Sequence, residues 1–281
     1  MSENISFNWD IHWECNYRCP YCWFNGKWDE VKSRNFYPPY EMLIRGWKNV
    51  HKLYGPVKVA ITGGEPLMYP RFTEFIGEMS EFHEFMIVTN LSADIACFVK
   101  ANNSKNVKVN PSFHSLSADA DLFIGKALML KEAGMMQCIT YLAWPPLIKK
   151  LAYYQALFEK KGLSLTVQSF FGEYDGRRYP DGYSEEEKKI IFPQLGTRGD
   201  KPFQTGAFSP RGKLCNAGRT YGVIHPDGTV RKCGGINSDD AVIGNIFKEE
   251  FRLREDPSVC ASEICPCNEW AFLLEKDKKG E

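Results

Sequence analysis

Along the first 170 positions, short runs of β-branched and aromatic residues alternate with stretches whose apolar residues recur every three to four. The strand-like runs are Phe7 to Trp13, Val57 to Thr62, Phe85 to Thr89, Val107 to Phe113, Gln137 to Leu142 and Leu163 to Ser169. Between them, helical periodicity covers Tyr40 to Tyr54, stretches starting at Arg71 and Ala93, Ala120 to Ala133, and Leu147 to Lys160. Leu147, Leu151, Tyr154 and Phe158 share one helical face, the pattern of ordinary core. Single helices between successive strands predict parallel β/α units with right-handed crossovers and functional loops at the strand C-termini. Six units predict an α/β fold: an open, partial (β/α)6 TIM-type barrel with its core at about residues 5 to 172.

From Gly172 the pattern turns to Gly, Pro, Tyr and charge, a connector over 173–205 with one short helix opened by the capping pair Ser184 and Glu187. The barrel domain therefore takes 1–205 and a second, small domain 206–281. In the latter, His225-Pro226-Asp227-Gly228 reads as the turn of a hairpin joining Thr220 to Ile224 with Thr229 to Lys232. A hairpin folds its ends together, so Cys215 and Cys233 at its base become neighbours. The tail EKDKKGE reads as a solvated end.

Composition adds what the chain is not. Among 281 residues, 35 basic and 35 acidic side chains cancel, so charge suggests neither nucleic acid nor an anionic membrane surface as partner. No basic-then-apolar leader and no membrane-length apolar run is present, which predicts a soluble, cytoplasmic protein. Asn4-Ile5-Ser6 and Asn102-Asn103-Ser104 match glycosylation acceptors but mean nothing without a secretory signal. Ten cysteines are many, and in a reducing compartment clustered thiols read as metal ligands. Cys97 and Cys138 fall in barrel elements and read as buried apolar thiols.

The chemistry centres on WECNYRCPYCWF, where Cys15, Cys19 and Cys22 follow the first strand. A structural zinc site wants four ligands, so this triplet would need His12 or a distant residue to complete it. A four-iron cluster also has four corners, and three thiolates would leave one iron open to an exogenous ligand. The second strand closes with Gly63-Gly64-Glu65, where glycines allow a charged ligand close to the backbone and an acid can receive an ammonium.

Taken together, these motifs resemble the radical S-adenosylmethionine (radical SAM) superfamily over roughly residues 5 to 170. The resemblance implies a [4Fe-4S] cluster on Cys15, Cys19 and Cys22, with SAM chelating the open iron and its methionyl amine on Gly63, Gly64 and Glu65. It further places Tyr21 beside the adenine, and Thr89, Asn90, Ser112 and Gln168 among the cofactor contacts. His114 is placed toward the substrate. Glu173 and Tyr174, at the barrel mouth, are candidate substrate-side catalytic groups.

The stretch around Cys215, Gly228 and Cys233 resembles the shortened SPASM module called a twitch, a hairpin plus helix. That likeness implies one auxiliary [4Fe-4S] cluster from Cys215, Cys233 and members of Cys260, Cys265 and Cys267, with zinc as the alternative. The implied activity is that of a radical SAM oxidoreductase, in which a 5'-deoxyadenosyl radical abstracts hydrogen and an auxiliary cluster accepts an electron. A two-electron oxidation or dehydrogenation follows. The triplet begins at Cys15, leaving no room ahead of it for a leader-binding domain, which favours a small-molecule substrate. A peptide maturase, a glycyl-radical activating enzyme and a non-catalytic electron-transfer protein are the alternatives. A low-potential donor such as flavodoxin or ferredoxin is the expected electron-delivering partner.

Overall fold

Phe7 and Trp9 in β1 (Ser6–Asp10) are buried, whereas Ser6, Asn8 and Asp10 between them are only half-buried. A strand's side chains alternate, so one face of β1 meets helices and the other faces the inside of the curved sheet. The computed structural model describes residues 4–102, 105–195, 204–205, 209–236, 238–263, 265 and 273–275.

After β1 come α1 (Trp28–Ser33), α2 (Tyr40–Tyr54), β2 (Lys58–Thr62), α3 (Phe72–Met79), β3 (Glu84–Thr89), α4 (Ala96–Ala101) and β4 (Val107–Pro111). The barrel part continues with α5 (Ala120–Glu132), β5 (Ile139–Ala143), α6 (Leu151–Glu159) and β6 (Leu165–Ser169). Strands β1 to β4 pair in parallel in chain order, and β5 pairs in parallel with β6. Backbone bonds bridge the two groups: Gln137 N to Val109 O and Phe113 N to Thr140 O, each 2.8 Å. The six strands thus follow one another in order, as the β/α rhythm predicts.

The outer face of β1 is packed against helices. The Trp9 ring lies 5.1 Å from that of Trp47 on α2 and 5.4 Å from that of Phe75 on α3, all three essentially inaccessible. Truncating one such ring costs about 3–5 kcal/mol. The expected core face on the sixth helix is also present, Leu147, Leu151 and Phe158 being buried. Its first turns are 3-10 over Pro145–Lys150, because Pro145 and Pro146 occupy the start.

The rest of the chain forms β7 (Gly172–Tyr174), β8 (Arg177–Tyr179), α7 (Glu185–Ile191), β9 (Leu214–Cys215), β10 (Tyr221–Ile224), β11 (Thr229–Arg231), β12 (Val242–Asn245) and β13 (Ser258–Val259). Ser184 and Glu187 make the expected capping box on α7. The hairpin β10–β11 forms about its predicted turn, with Gly228 N donating to His225 O at 2.9 Å. It is not isolated, however: β10 pairs in parallel with β1, giving one sheet of order β12-β11-β10-β1-β2-β3-β4. The open edge of β1 is thereby covered. The sheet consequently crosses the boundary expected near residue 206. No α-helical element accompanies the hairpin among the described residues of 206–281. Two thiols differ from expectation: Cys97 is exposed on α4, and half-buried Cys138 donates to Asn110 Oδ1 at 2.8 Å.

Candidate active site

Beyond β1 the chain stays bonded to the exit of β2. Ile11 N donates to Thr62 O at 3.3 Å, Gly64 N to His12 O at 2.7 Å and Glu65 N to Glu14 O at 2.8 Å. The cysteine loop and the Gly-Gly-Glu turn are therefore one hydrogen-bonded unit. A Cβ on Gly63, whose φ is +119°, would lie 2.1 Å from His12 O, and one on Gly64 would lie 1.8 Å from Glu14 O. The close approach that these glycines permit is thus made by the chain's own His12–Glu14 segment.

Glu65 is likewise tied into the chain. Its carboxylate is 1% exposed and already accepts Thr89 Oγ1 at 2.6 Å, Asn90 N at 2.7 Å and Leu67 N at 3.1 Å. These donors tie the end of β2 to the end of β3 through the acid that sequence places near an ammonium. Burial pushes this carboxyl above its usual range, with the three donors acting in the opposite direction. His12 is no fourth ligand either. Its Nε2 donates to Glu65 O at 2.8 Å and its Nδ1 faces the Tyr37 hydroxyl at 3.2 Å, while burial holds the imidazole below its ordinary pKa.

Cys15 and Cys22 are half-buried and Cys19 is buried. Burial pushes all three thiols up, and for Cys15 and Cys19 the neighbouring thiols push in the same direction. Ionising them together therefore calls for a compensating cationic centre. N–H groups are aimed at sulphur, with Tyr17 N at 3.4 Å and Asn90 Nδ2 at 3.7 Å from Cys15 Sγ. Three thiols in one loop with N–H donors around them fit an iron–sulfur group. Among the described residues, no three His, Cys, Asp or Glu side chains converge on one ion-sized point.

Around the triplet, Asn90 Nδ2 also donates to Asn16 Oδ1 at 3.1 Å. Leu91, the next residue, has a left-handed φ of +53°, which costs a branched side chain about 1–2 kcal/mol. Lys126 on α5 offsets that strain by donating to Leu91 O at 2.8 Å and Ser92 O at 2.9 Å. Ser112 joins this edge through its backbone N, 2.8 Å from Thr89 O. Gln168 is half-buried on β6 opposite Leu142.

Tyr21 stacks on His114 with centroids 5.8 Å apart, and its hydroxyl is 3.1 Å from His114 Nδ1. Burial lowers His114 to a pKa of about 4 and pushes the Tyr21 phenol above its usual value. Trp144 packs on Tyr21 at 5.4 Å and on Tyr174 at 5.1 Å, so an aromatic row runs from the β7–β8 hairpin to the cysteine loop. Glu173 is exposed on β7, opposite Arg178. The structure thus gathers the triplet, Gly63 to Glu65, Thr89, Asn90, Tyr21 and His114, and leaves Glu173 on the outer hairpin.

Sequence reasoning missed Asp10, Thr62 and His225. Thr62 Oγ1 donates to Asp10 Oδ1 at 2.8 Å, burial pushes the Asp10 carboxyl up, and burial also keeps the facing His225 imidazole low. In-strand alternation carried the signal: Asp10 follows Trp9 on the inner face and pairs in register with Thr62.

Four more cysteines meet elsewhere. Cys215, Cys233, Cys260 and Cys265 line one pocket, together with Lys232 and Tyr221. Pairing of β9 with β13, Cys215 opposite Ser258, brings the Cys260 segment beside the hairpin base. Burial pushes Cys215 and Cys233 up, and each also feels Cys260. Cys267 lies outside the described residues.

Residues 14–133 match the family model of the Radical SAM superfamily, a stretch containing both the triplet and the Gly-Gly-Glu turn. The fold is shared with Streptococcus suis SuiB bound to S-adenosylmethionine, at 16% identity over 88% of this chain and 64% of that one, TM-score 0.63. It is shared too with SuiB bound to precursor peptide SuiA, at 15% identity over 88% and 63% of the two chains, TM-score 0.64. A third likeness is anSMEcpe with bound AdoMet and Cp18Cys peptide, at 17% identity over 86% and 77%, TM-score 0.60. The chain spans about 64% of the length of SuiB. No curated protein matches it in sequence. Among the described residues no helix is long and apolar enough to cross a membrane.

Proposed function

We propose that this chain is a radical SAM enzyme. One observation carries the reading: the Cys15, Cys19 and Cys22 loop is hydrogen-bonded through His12 and Glu14 to Gly64 and Glu65, so the two motifs form a single site at the C-terminal ends of β1 and β2. Cys15, Cys19 and Cys22 would hold a [4Fe-4S] cluster, which supplies the electron that cleaves SAM to methionine and a hydrogen-abstracting 5'-deoxyadenosyl radical. The chain's own part is placement. Gly63 and Gly64 let the cysteine loop lie against the β2 exit, Glu65 fixes the Thr89–Asn90 corner, and Tyr21 with His114 and Trp144 forms an aromatic wall beside the loop.

The finer reading is a two-electron oxidation, with an auxiliary iron–sulfur cluster of the twitch type held by Cys215, Cys233, Cys260 and Cys265. Their place in the lining of one pocket supports it, and zinc is the competing occupant. For the substrate, two structures of like fold were solved with a peptide bound, which favours a peptidyl substrate over the small molecule expected from sequence. A low-potential carrier such as flavodoxin or ferredoxin would deliver the electron.

The test is anaerobic incubation of iron-reconstituted protein with SAM and dithionite, with 5'-deoxyadenosine measured by chromatography. Wild type should form it, and the variant with Ala at Cys15, Cys19 and Cys22 should not. Equal product from both would end the proposal.

A further inference from the structure

Asn90 sits at the end of β3, 5% exposed, with both ends of its side-chain amide committed inside the chain. Its Oδ1 accepts Ser92 N at 2.8 Å, which decides which end is oxygen and which is nitrogen. The Nδ2 is thereby aimed at Asn16 Oδ1, 3.1 Å away, and at Cys15 Sγ, 3.7 Å away. Asn16 Oδ1 is itself held by Ser92 Oγ at 3.2 Å. The backbone is fixed as firmly: Asn90 N donates to Glu65 Oε2 at 2.7 Å, and Lys126 holds the two following carbonyls. A side chain placed by so many contacts is poorly free to turn toward a ribose or a carboxylate, the role its position suggests from sequence.

We infer that Asn90 is a redox-tuning residue whose amide N–H, donated to the Cys15 sulphur, raises the reduction potential of the iron–sulfur group that Cys15 would hold. The inference rests on the radical SAM reading of the triplet. Reduction adds negative charge to a cluster and its thiolates, and an N–H pointed at sulphur stabilises the reduced form more than the oxidised one. Because Cys15 also accepts Tyr17 N, its sulphur carries two donors, of which only the Asn90 amide can be removed by changing a side chain.

The experiment uses the anaerobically reconstituted chain without SAM, with Cys215 and Cys233 both replaced by Ala so that only the triplet contributes, poised at the potential that half-reduces the cluster when Asn90 is present, with reduced cluster integrated by electron paramagnetic resonance. Asn90→Leu, close in shape and lacking the donor, should keep its iron while the reduced fraction falls at least several-fold. Asn90→Ala, which removes the same donor with less bulk beside the loop, should lower the fraction in the same direction. An unchanged reduced fraction in Asn90→Leu overturns the inference, and weaker SAM binding without a potential change would return Asn90 to the SAM contacts. Should Asn90→Leu lose its iron, Asn90→Ala decides alone, an unchanged fraction again overturning the inference. A wild type that takes up no iron defeats the functional reading itself, a result separable from the others by metal analysis.

Discussion

Replacing Glu65 by Gln separates two roles for the acid in the Gly-Gly-Glu turn. If Glu65 is a clamp, the damage appears in the metal-free, SAM-free protein. One carboxylate oxygen accepts Thr89 Oγ1 and Leu67 N while the other accepts Asn90 N, and the side chain is 1% exposed. An amide in its place puts an NH2 against one of these donors. Leaving that donor buried and unpaired costs about 1–3 kcal/mol, and the surviving bonds lose their charge assistance, roughly half their strength. The sum is about 3 kcal/mol, which for a chain of this size lowers the melting temperature by about 6–12 °C. Urea and thermal unfolding of the metal-free proteins measure it. A Glu65→Gln variant within about 0.5 kcal/mol of wild type, and weakened only in SAM affinity, would refute the clamp and restore the ammonium contact.

Further outcomes follow from the same geometry. Gly64→Ala, whose Cβ would lie 1.8 Å from Glu14 O, should displace the cysteine loop and lower iron retention after reconstitution, and full retention would contradict the packing. Burial lowers His83 and His114 each to a pKa of about 4, so both should titrate well below 6.5 in imidazole proton NMR of the metal-free protein. The sign is fixed by linkage: the unfolded chain takes up protons first as pH falls from 6.5 toward 4, so stability is lost in that window, at about 1.4 kcal/mol per unit per group. Unshifted titration near 6.5 would refute their burial in neutral form. Replacing Cys215 and Cys233 together by Ala should halve the iron, from about eight to about four per chain, if the second pocket holds a cluster. About four irons and one zinc in wild type, with iron unchanged on mutation, would instead assign that pocket to zinc.

The parallel β/α order was legible because each element carried its own period: Phe7 and Trp9 alternate with Asn8 and Asp10, and Leu147, Leu151 and Phe158 recur at helical spacing. The hairpin was legible from its turn residues. Its attachment to β1 was not, since Tyr221 to Ile224 are buried throughout and a continuous apolar run names no partner strand. In the site, residue types pointed to the chemistry but not to the contacts within the chain. Gly63, Gly64 and Glu65 read as ligand-facing, and their contacts with residues 12 to 14 and 89 to 90 were not legible, because those residues lie far off in sequence. Lys126 and Trp144 were invisible for the same reason: each matters through contacts with a loop distant in sequence.

The proposed function requires that the triplet and the Gly-Gly-Glu turn form one site holding a cluster with an iron left open to SAM. Paramagnetic resonance of the reduced, reconstituted protein before and after SAM addition tests it most directly, using a variant in which Cys215 and Cys233 are both Ala so that only the triplet contributes. SAM should change the g-values of the reduced-cluster signal, because a ligand on the open iron alters the cluster's electronic structure. A spectrum left unchanged by saturating SAM would contradict the claim.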